Sequence, residues 1–220
     1  MHIAVDTASE LPVAFEVTPA NTNDGDLGAE LIKKTTASLP KKHWPKFYVM
    51  DAGYDQNKNY EAARDALAKA IIPLNLRNEK IPLEGINSNG TPICSMGYSM
   101  VYWGSDKDTL KFRCPHVSGK VNCPFGSAWC SNSNYGLVKK VKVTEDLRRY
   151  SVPHRDSRGW TELYKQRTSV ERVNSRLKSY LTANQLHVWG IKKVKSHLVI
   201  NLVVLLLGAL ATSQSNKNAA

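Results

Sequence analysis

The stretch KFYVMDAGYD, residues 46–55, is the part of the sequence that most directly indicates the fold. Its apolar run from Phe47 to Met50 is short and rich in β-forming side chains, so we expect a buried strand. The strand ends in Asp51, and a turn containing Gly53 follows. A strand end of this kind holds a carboxylate at the edge of a sheet, and capping the following turn is an alternative role for Asp51.

Upstream of this strand, the sequence predicts a β-hairpin and a helix. Apolar residues recur at every second position within residues 2–17, on both sides of a central group of turn-forming residues. The cluster of capping residues at 21–24 then predicts a helix that contains Leu27 and Leu31 and reaches its limit near Pro40.

Downstream, a helix and a further strand complete an alternating pattern. Tyr60, Ala63 and Leu67 are spaced for a helix, and residues 70–74 are apolar enough for a short strand. The order is therefore strand, strand, helix, strand, helix, strand. This order predicts an α/β or mixed α+β domain.

The chain is strongly basic, and its positive charge is concentrated in one region. Its 220 residues carry a net charge of +11, with a pI near 9.5. Residues 139–195 contain fifteen Lys and Arg against five Asp and Glu, which is nearly the whole excess. This concentration favours a face that binds the phosphates of nucleic acid over a basic surface that has no partner.

Two helices are predicted near the C-terminus, at residues 160–181 and 191–211. The second contains an apolar run at 198–211 that is shorter than the roughly 20 residues a membrane span needs. We therefore expect a buried helix and no membrane association. The small polar residues from 212 onward predict a disordered tail.

The first of these helices carries a distinctive polar ridge. At about 100° per residue, four of its polar side chains fall within about 60° of one another: Tyr164, Arg167, Glu171 and Lys178. An apolar stripe borders the ridge and predicts a core-facing side: Leu163, Val170, Val173 and Leu177. The acid could bind a divalent cation while its basic neighbours bind DNA phosphates. The alternative is an ordinary i,i+4 ion pair between Arg167 and Glu171.

Four cysteines lie in a segment rich in Gly, Ser, Asn and Pro, residues 81–137. They are Cys94, Cys114, Cys123 and Cys130. Because no export signal is visible, metal binding is more plausible here than a disulfide framework. Four thiolates could bind a structural Zn²⁺ tetrahedrally, with His116 as a substitute ligand. The alternative is free cysteines packed as small apolar groups.

The same segment contains several aromatic residues, namely Tyr98, Tyr102, Trp103, Trp129 and Tyr135. Stacking on flipped bases is one role open to them. We expect them instead to form the small core of the segment, because it has few other large apolar residues. Outside it, we expect His154 to be structural rather than catalytic.

The strand motif and the helix motif together resemble a known family, the DDE-type transposases of bacterial insertion sequences. Residues 49–55 are similar to the family's second acidic motif, and residues 2–24 resemble its hairpin and the following helix start. The spacing Tyr-x2-Arg-x3-Glu-x6-Lys is the signature of a large group of these enzymes. The chain has it without a gap, at Tyr164, Arg167, Glu171 and Lys178.

The resemblance implies an RNase H-like fold with a mixed sheet and flanking helices. It also implies that two Asp and one Glu hold Mg²⁺ or Mn²⁺ ions, which promote hydrolysis of a DNA phosphodiester and transfer of the 3′-hydroxyl end to a target. By this match Asp51 and Glu171 are catalytic metal ligands. The residues that would contact DNA are Tyr164, Arg167, Arg172 and Lys178. Transposon ends and target DNA are the implied partners, a homodimer the implied assembly, and the bacterial cytoplasm, at the nucleoid, the implied location.

One departure from the family pattern concerns the first catalytic Asp, which usually stands in an Asp-Gly-Thr context on the first strand of the sheet. We interpret Asp6 as part of the hairpin turn and Asp24 as the N-cap of the next helix. The first acid is therefore expected before residue 1, and the chain is expected to be truncated and inactive alone.

The organisation that follows from these patterns has four parts. Residues 1–80 form the first part of the catalytic domain, and residues 81–137 form a small Cys-rich β insertion that interrupts it. Residues 138–212 form the C-terminal part with the Glu171 helix, and residues 213–220 form the disordered tail. Two other functions stay open: a non-catalytic nucleic-acid-binding remnant of a transposase, and an RNase H-like nuclease that cleaves without strand transfer.

Overall fold

The computed structural model describes residues 1–76 and 84–218. The chain divides into two compact units: Met1–Pro45 with Gln166–Ala220, and Lys46–Lys165. The boundary expected between residues 80 and 81 lies outside the described residues. The four-part organisation therefore stays a prediction.

The described residues contain seven strands and five α-helices. The strands are β1 His2–Asp6, β2 Leu11–Glu16, β3 Phe47–Val49, β4 Lys69–Ile71, β5 Val101–Asp106, β6 Thr109–Arg113 and β7 Val138–Lys142. The helices are α1 Gly28–Ser38, α2 Asn57–Asp65, α3 Arg158–Lys165, α4 Thr168–Ser179 and α5 Ile191–Asn218. The order β1, β2, α1, β3, α2, β4 confirms the predicted alternation.

In the first unit, β1 and β2 form the predicted antiparallel hairpin. Its turn is closed by a hydrogen bond of 2.8 Å from the Glu10 N–H to the Asp6 carbonyl. Helix α1 follows the hairpin, as predicted. The predicted cap residue was wrong, because Asn23 and not Asp24 accepts the capping hydrogen bond, from the Gly25 N–H at the start of a short 3-10 turn.

The core of this unit lies where α4 and α5 pack on the hairpin. Val173 and Leu177 of α4 are buried together with Leu198 and Leu202 of α5 and with Val17. The residues of α4 and α5 in this cluster are three or four positions apart, so each helix contributes one face.

Helix α5 corrects two predictions. It continues through Asn218, so residues 213–218, expected in a disordered tail, are helical; after Gly208 no Gly or Pro interrupts them. The expected buried helix is buried on one side only, and Ile200 and Leu207 are 63% and 57% exposed. Its portion Ile191–Asn216 is long and apolar enough to cross a membrane, and no other helix in residues 1–76 and 84–218 is; one such helix is weak evidence of a membrane span.

In the second unit, β3 and β4 pair in parallel, and α2 connects them. Tyr60 and Ala63 of α2 are buried as predicted, but Leu67 is 77% exposed and lies outside the helix. Leu67 takes a positive φ of 56°, and the Ala68 N–H donates to the Ala63 carbonyl at 2.8 Å. This is the usual left-handed C-terminal cap of a helix, and it ends α2 before Leu67.

Strands β5, β6 and β7 form an antiparallel sheet in the order β5-β6-β7. The first two lie within residues 81–137, where the small β insertion was predicted. The third lies beyond residue 137, where the insertion was predicted to end. The sheet covers a small core of Met100, Leu110 and Phe112.

The aromatic residues expected in this core differ in their burial. Tyr102 packs against the core, whereas Trp103, Trp129 and Tyr135 are 56–64% exposed. The prediction was wrong for these three. Trp103 lies where the register of β5 with β6 shifts between Tyr102 and Gly104, and its ring contacts the Arg113 guanidinium at 4.1 Å instead of the core.

His154 is structural, as expected. Its ring is fully buried, stacks on Tyr102 at a centroid distance of 5.1 Å and meets Phe112 edge-on at 5.0 Å. The Asp156 N–H donates to its Nδ1 at 3.2 Å, which suits a neutral ring. Burial lowers the pKa of His154 from 6.5 to about 4, although the Asp156 carboxylate opposes this shift.

This lowered pKa predicts an acid-sensitive fold. Since the folded pKa lies below the unfolded value, the stabilisation is present at neutral pH and is lost as the pH falls from about 6.5 towards 4. We expect the difference in unfolding free energy between the parent chain and His154→Leu to shrink by about 2 kcal/mol between pH 7 and pH 4.5. Denaturant unfolding at both pH values measures it, and a difference that does not change with pH would contradict it.

The long helix predicted at residues 160–181 is two helices, α3 and α4, separated by Gln166 and Arg167. At this junction the Ser169 and Val170 N–H groups donate three residues back rather than four, to the carbonyls of Gln166 and Arg167. Thr168 and Ser169 are weak formers of helix interiors and favour helix starts, which accounts for the new beginning here.

Candidate active site

Asp51 stands at the C-terminal end of the parallel pair, where the sequence placed it. It follows β3 by two residues and is exposed. Its Oδ1 accepts a hydrogen bond of 2.7 Å from the Ala52 N–H, so it caps the 3-10 turn Ala52–Tyr54. Asp51 therefore has the capping role that the sequence offered as an alternative, and its carboxylate lies at the surface.

Asp55, four residues later, was not singled out from the sequence. Its side chain is fully buried. Oδ1 accepts from the Tyr60 hydroxyl at 2.7 Å. Oδ2 accepts from the Asn75 N–H at 2.7 Å and from Arg148 Nε at 2.9 Å. Asp55 thus ties the turn after β3 to α2 and to the segment that carries Arg148.

Arg155 extends this buried network. Its Nη2 donates to the Tyr60 hydroxyl at 3.0 Å, and its Nε donates to the Ile72 carbonyl at 3.0 Å. Two further hydrogen bonds reach the carbonyls of Arg148 and Arg149. Part of the basic region 139–195 is therefore used inside the protein. Charge counting could not reveal this, because it does not distinguish buried from exposed arginines.

Glu171 lies in the first turn of α4 and is exposed. Arg167 Nη1 is 2.8 Å from its Oε1, which is the i,i+4 ion pair considered from the sequence. The Arg167 side chain is 30% exposed and the Glu171 side chain is 54% exposed, so both reach solvent. An exposed carboxylate next to a guanidinium can coordinate a cation while the guanidinium binds a phosphate oxygen.

The other sequence-predicted DNA contacts differ in their surroundings. Lys178 is exposed in the last turn of α4. Tyr164 belongs to α3, in the second unit, and stacks on Trp160 with ring centroids 4.9 Å apart. Because α3 and α4 are separate helices, the predicted single ridge is not one continuous helix.

Arg172 is held within the first unit. Its Nε is paired with Glu10 Oε1, and its Nη1 and Nη2 donate to Thr168 and Ser169 at 2.9 and 3.1 Å. Arg176 Nη2 contacts the other Glu10 oxygen at 2.7 Å. Glu10 therefore joins the hairpin turn to α4 through two arginines.

The two alternative acids in the first unit have local roles. Asp6 Oδ2 accepts from the Ser9 N–H at 2.8 Å and from its hydroxyl at 2.6 Å, which confirms its place in the hairpin turn. The hydrogen bond from the Ser9 hydroxyl is the main reason that the pKa of Asp6 is lowered. Asp24 begins a 3-10 turn and lies 3.6 Å from His2 Nδ1.

Asp51 belongs to the second unit and Glu171 to the first. Their joint coordination of a metal therefore stays a prediction. Across residues 1–76 and 84–218, no three His, Cys, Asp or Glu side chains stand together as a metal site. The four cysteines are all in the second unit and are free thiols.

These features define a basic α/β protein with acids exposed at a strand end and on a helix. The chain matches the transposase DDE domain over residues 1–207, which is nearly its whole length, and it belongs to that family. Comparisons with curated proteins and with solved structures gave no match.

Membership of the family establishes the general function. The chain is a transposase domain of the DDE class, which acts on DNA in transposition and recombination. Enzymes of this family generally use a divalent metal such as Mg²⁺.

Proposed function

We propose that this domain supplies part of an RNase H-like active site, in which Asp51 and Glu171 hold Mg²⁺ or Mn²⁺ for hydrolysis and strand transfer at transposon ends. The observation that carries the proposal is the exposed Glu171 beside Arg167, in a chain that matches the family over 1–207. The bacterial Tyr-Arg-Glu-Lys group is the branch that the motif supports, and the cytoplasm, at the nucleoid, is where such an enzyme works.

The donor chemistry at these two positions fits Mg²⁺. Both side chains are exposed carboxylates, and Mg²⁺ prefers one or two protein carboxylates with water and phosphate oxygens completing its shell. When bound, the metal supplies charge stabilisation and activation of the attacking oxygen. The chain's own part is to hold the acids: the turn hydrogen bond from Ala52 orients Asp51, and Arg167 orients Glu171.

A third carboxylate completes the usual set of this family, and we do not assign it to Asp6 or Asp24. Asp6 is engaged by Ser9 within the hairpin turn, and Asp24 stands beside His2. We propose instead that the first acid is supplied from outside residues 1–220. The isolated chain would then bind DNA better than it cuts it, and a homodimer would pair two ends.

For the DNA contacts, we propose that Arg167 and Lys178 bind backbone phosphates on either side of Glu171 and that Tyr164 also contacts DNA phosphates near the cut. Arg172 joins them when its guanidinium exchanges Glu10 for a phosphate. Without that exchange, Arg172 and Arg176 both stay paired with Glu10.

Removing Lys178 should weaken DNA binding through a phosphate contact. We expect Lys178→Ala to lower affinity for all sequences alike and to reduce the slope of log affinity against log salt by about one. Fluorescence anisotropy at several salt concentrations measures this slope. Lys33→Ala, an exposed lysine on α1, is the control, and an equal loss in both variants would contradict the assignment.

The proposed function is tested with DNA that flanks the coding sequence of this chain on both sides, where transposon ends lie. The expected result is specific binding, and nicking that needs Mg²⁺ and stops in EDTA once the third carboxylate is supplied. Binding without nicking even then would favour the non-catalytic remnant. Nicking without joining to a second DNA would favour the RNase H-like nuclease, and neither binding nor nicking would overturn all three.

A further inference from the structure

All four cysteines of the chain line a single cavity in the second unit. They come from positions separated by up to 36 residues of sequence, and none forms a disulfide. The cavity is also lined by Met96, Pro115 and Trp129, so its wall is largely apolar. Such a cluster of thiols in a largely apolar wall calls for an explanation beyond the packing of small side chains.

Two of the cysteines begin the same kind of turn. In Cys94–Gly97 and in Cys123–Gly126, the glycine N–H donates to the cysteine carbonyl, at 2.9 and 3.1 Å. Both glycines have positive φ, 79° and 63°. A tight turn of this form directs backbone N–H groups towards its first residue, where such groups can donate to a metal-bound sulfur.

The third cysteine, Cys114, is buried directly after β6. Gly136 closes against it, because a Cβ at Gly136 would lie 2.6 Å from Cys114 Cβ. The intervening residues 114–137 contain turns but neither helix nor strand. A loop of this length without secondary structure is uncommon, and a bound metal is one way to hold it on a core of only three buried residues.

We propose that Cys94, Cys114, Cys123 and Cys130 bind one structural Zn²⁺. Thiolates are the preferred zinc ligands of loop-rich segments, and four of them complete a tetrahedral shell. Each thiol loses one proton on binding, so four protons are released for each ion bound. As the side chains stand, no three of the described His, Cys, Asp and Glu groups converge on a metal, so the thiols must turn inward across the cavity.

His116 also lines the cavity, but its Nδ1 is already engaged in the loop. It lies 3.3 Å from both the Cys123 N–H and the Val121 carbonyl. Because four thiolates already complete a tetrahedral shell, we place His116 outside it. A His116 variant separates this set from one of three cysteines and a histidine.

The test measures zinc in the full chain, purified under reducing conditions, by elemental mass spectrometry. We expect about one zinc per chain, and Co²⁺ in its place should give thiolate-to-metal charge-transfer absorption. Cys94→Ser should lower zinc at least about fivefold, whereas Ser95→Ala, the neighbouring exposed position, and His116→Ala should keep it. This readout does not depend on DNA cleavage, so the zinc site and the transposase site can fail independently.

If Cys94→Ser fails to fold, thiol titration of the parent chain keeps the proposal falsifiable. Bound zinc should protect all four thiols from reaction until a chelator is added. If the parent chain holds less than about a tenth of a zinc and all four of its thiols react readily, the proposal is overturned in favour of free cysteines. A mass of the parent chain that is lower than that of its reduced form by two or four hydrogen atoms overturns the proposal in favour of disulfides. Loss of zinc in His116→Ala overturns the four-cysteine set.

Discussion

We expect Glu171→Gln to abolish Mg²⁺-dependent cleavage, once the third carboxylate is supplied, and to leave DNA binding intact. Glutamine keeps the shape of the side chain but loses the charge that a divalent cation requires. Losing several kcal/mol of charge stabilisation in the transition state corresponds to roughly a thousandfold slower cleavage or more. Binding should be retained or slightly tighter, because the ion pair that partly neutralises Arg167 is removed.

The measurement is the single-turnover rate of nicking on end-containing DNA, together with anisotropy for binding. Glu162→Gln is the matched control, since Glu162 is an exposed glutamate on α3 that pairs with Lys165 at 2.8 Å. It should cleave at the parent rate. If the two variants cleave equally well, Glu171 is not a metal ligand, and the ion pair with Arg167 is its whole role.

Asp55→Asn should destabilise the second unit by about 3 kcal/mol. The substitution can replace an acceptor oxygen with an NH₂ group that faces the Asn75 N–H and Arg148 Nε, both of which are donors. It also removes the negative charge beside Arg148, whose side chain is only 16% exposed. Breaking a buried pair by neutralising one partner leaves the other charge uncompensated.

Asp51→Asn is the natural control for this change, because it alters the same residue type four positions away on the surface. We expect its free energy of unfolding to stay within about 0.5 kcal/mol of the parent, with cleavage lost. Denaturant titration of both variants decides the matter. Equal losses of stability in the two variants would mean that the burial of Asp55 does not stabilise the fold. A stable Asp55→Asn that does not cleave would mean that Asp55, and not Asp51, is the catalytic acid.

Local patterns predicted much of the fold. The hairpin, the helix before Pro40 and the strand that ends before Asp51 are each encoded by alternation, capping or helical spacing within about fifteen residues, and such signals act independently of tertiary contacts. The pairing of β3 with β4 is consistent with the predicted order, since a helix joins two neighbouring parallel strands.

Features set by contacts distant in sequence could not be predicted in this way. Asp55 and Arg148 are 93 residues apart, and nothing in either neighbourhood marks them as partners. Arg155 looked like one more charge in a basic region, although it is buried and bound to four oxygen atoms. Leu67 satisfied a helical spacing but fell just past the point where the backbone reversed.

The candidate site was predicted by residue type and motif more than by geometry. Spacing indicated the ion pair between Arg167 and Glu171 as the alternative to a functional pair. It placed the ridge close to the interior, which was wrong, because Glu171 and Lys178 are exposed. It did not indicate that Arg172 would be tied to Glu10, because that contact depends on how the hairpin turn meets α4.

The two-residue turn at Gln166 and Arg167 changes what the helix motif specifies. Within one helix, the spacing in sequence fixes the distance between two residues. Tyr164 and Glu171 belong to different helices, so the distance between them also depends on the backbone torsion angles of the turn. Arg167 lies in this turn, with φ −52° and ψ −31°. The spacing of the motif therefore constrains backbone torsion angles at the turn as well as the positions of side chains along a helix.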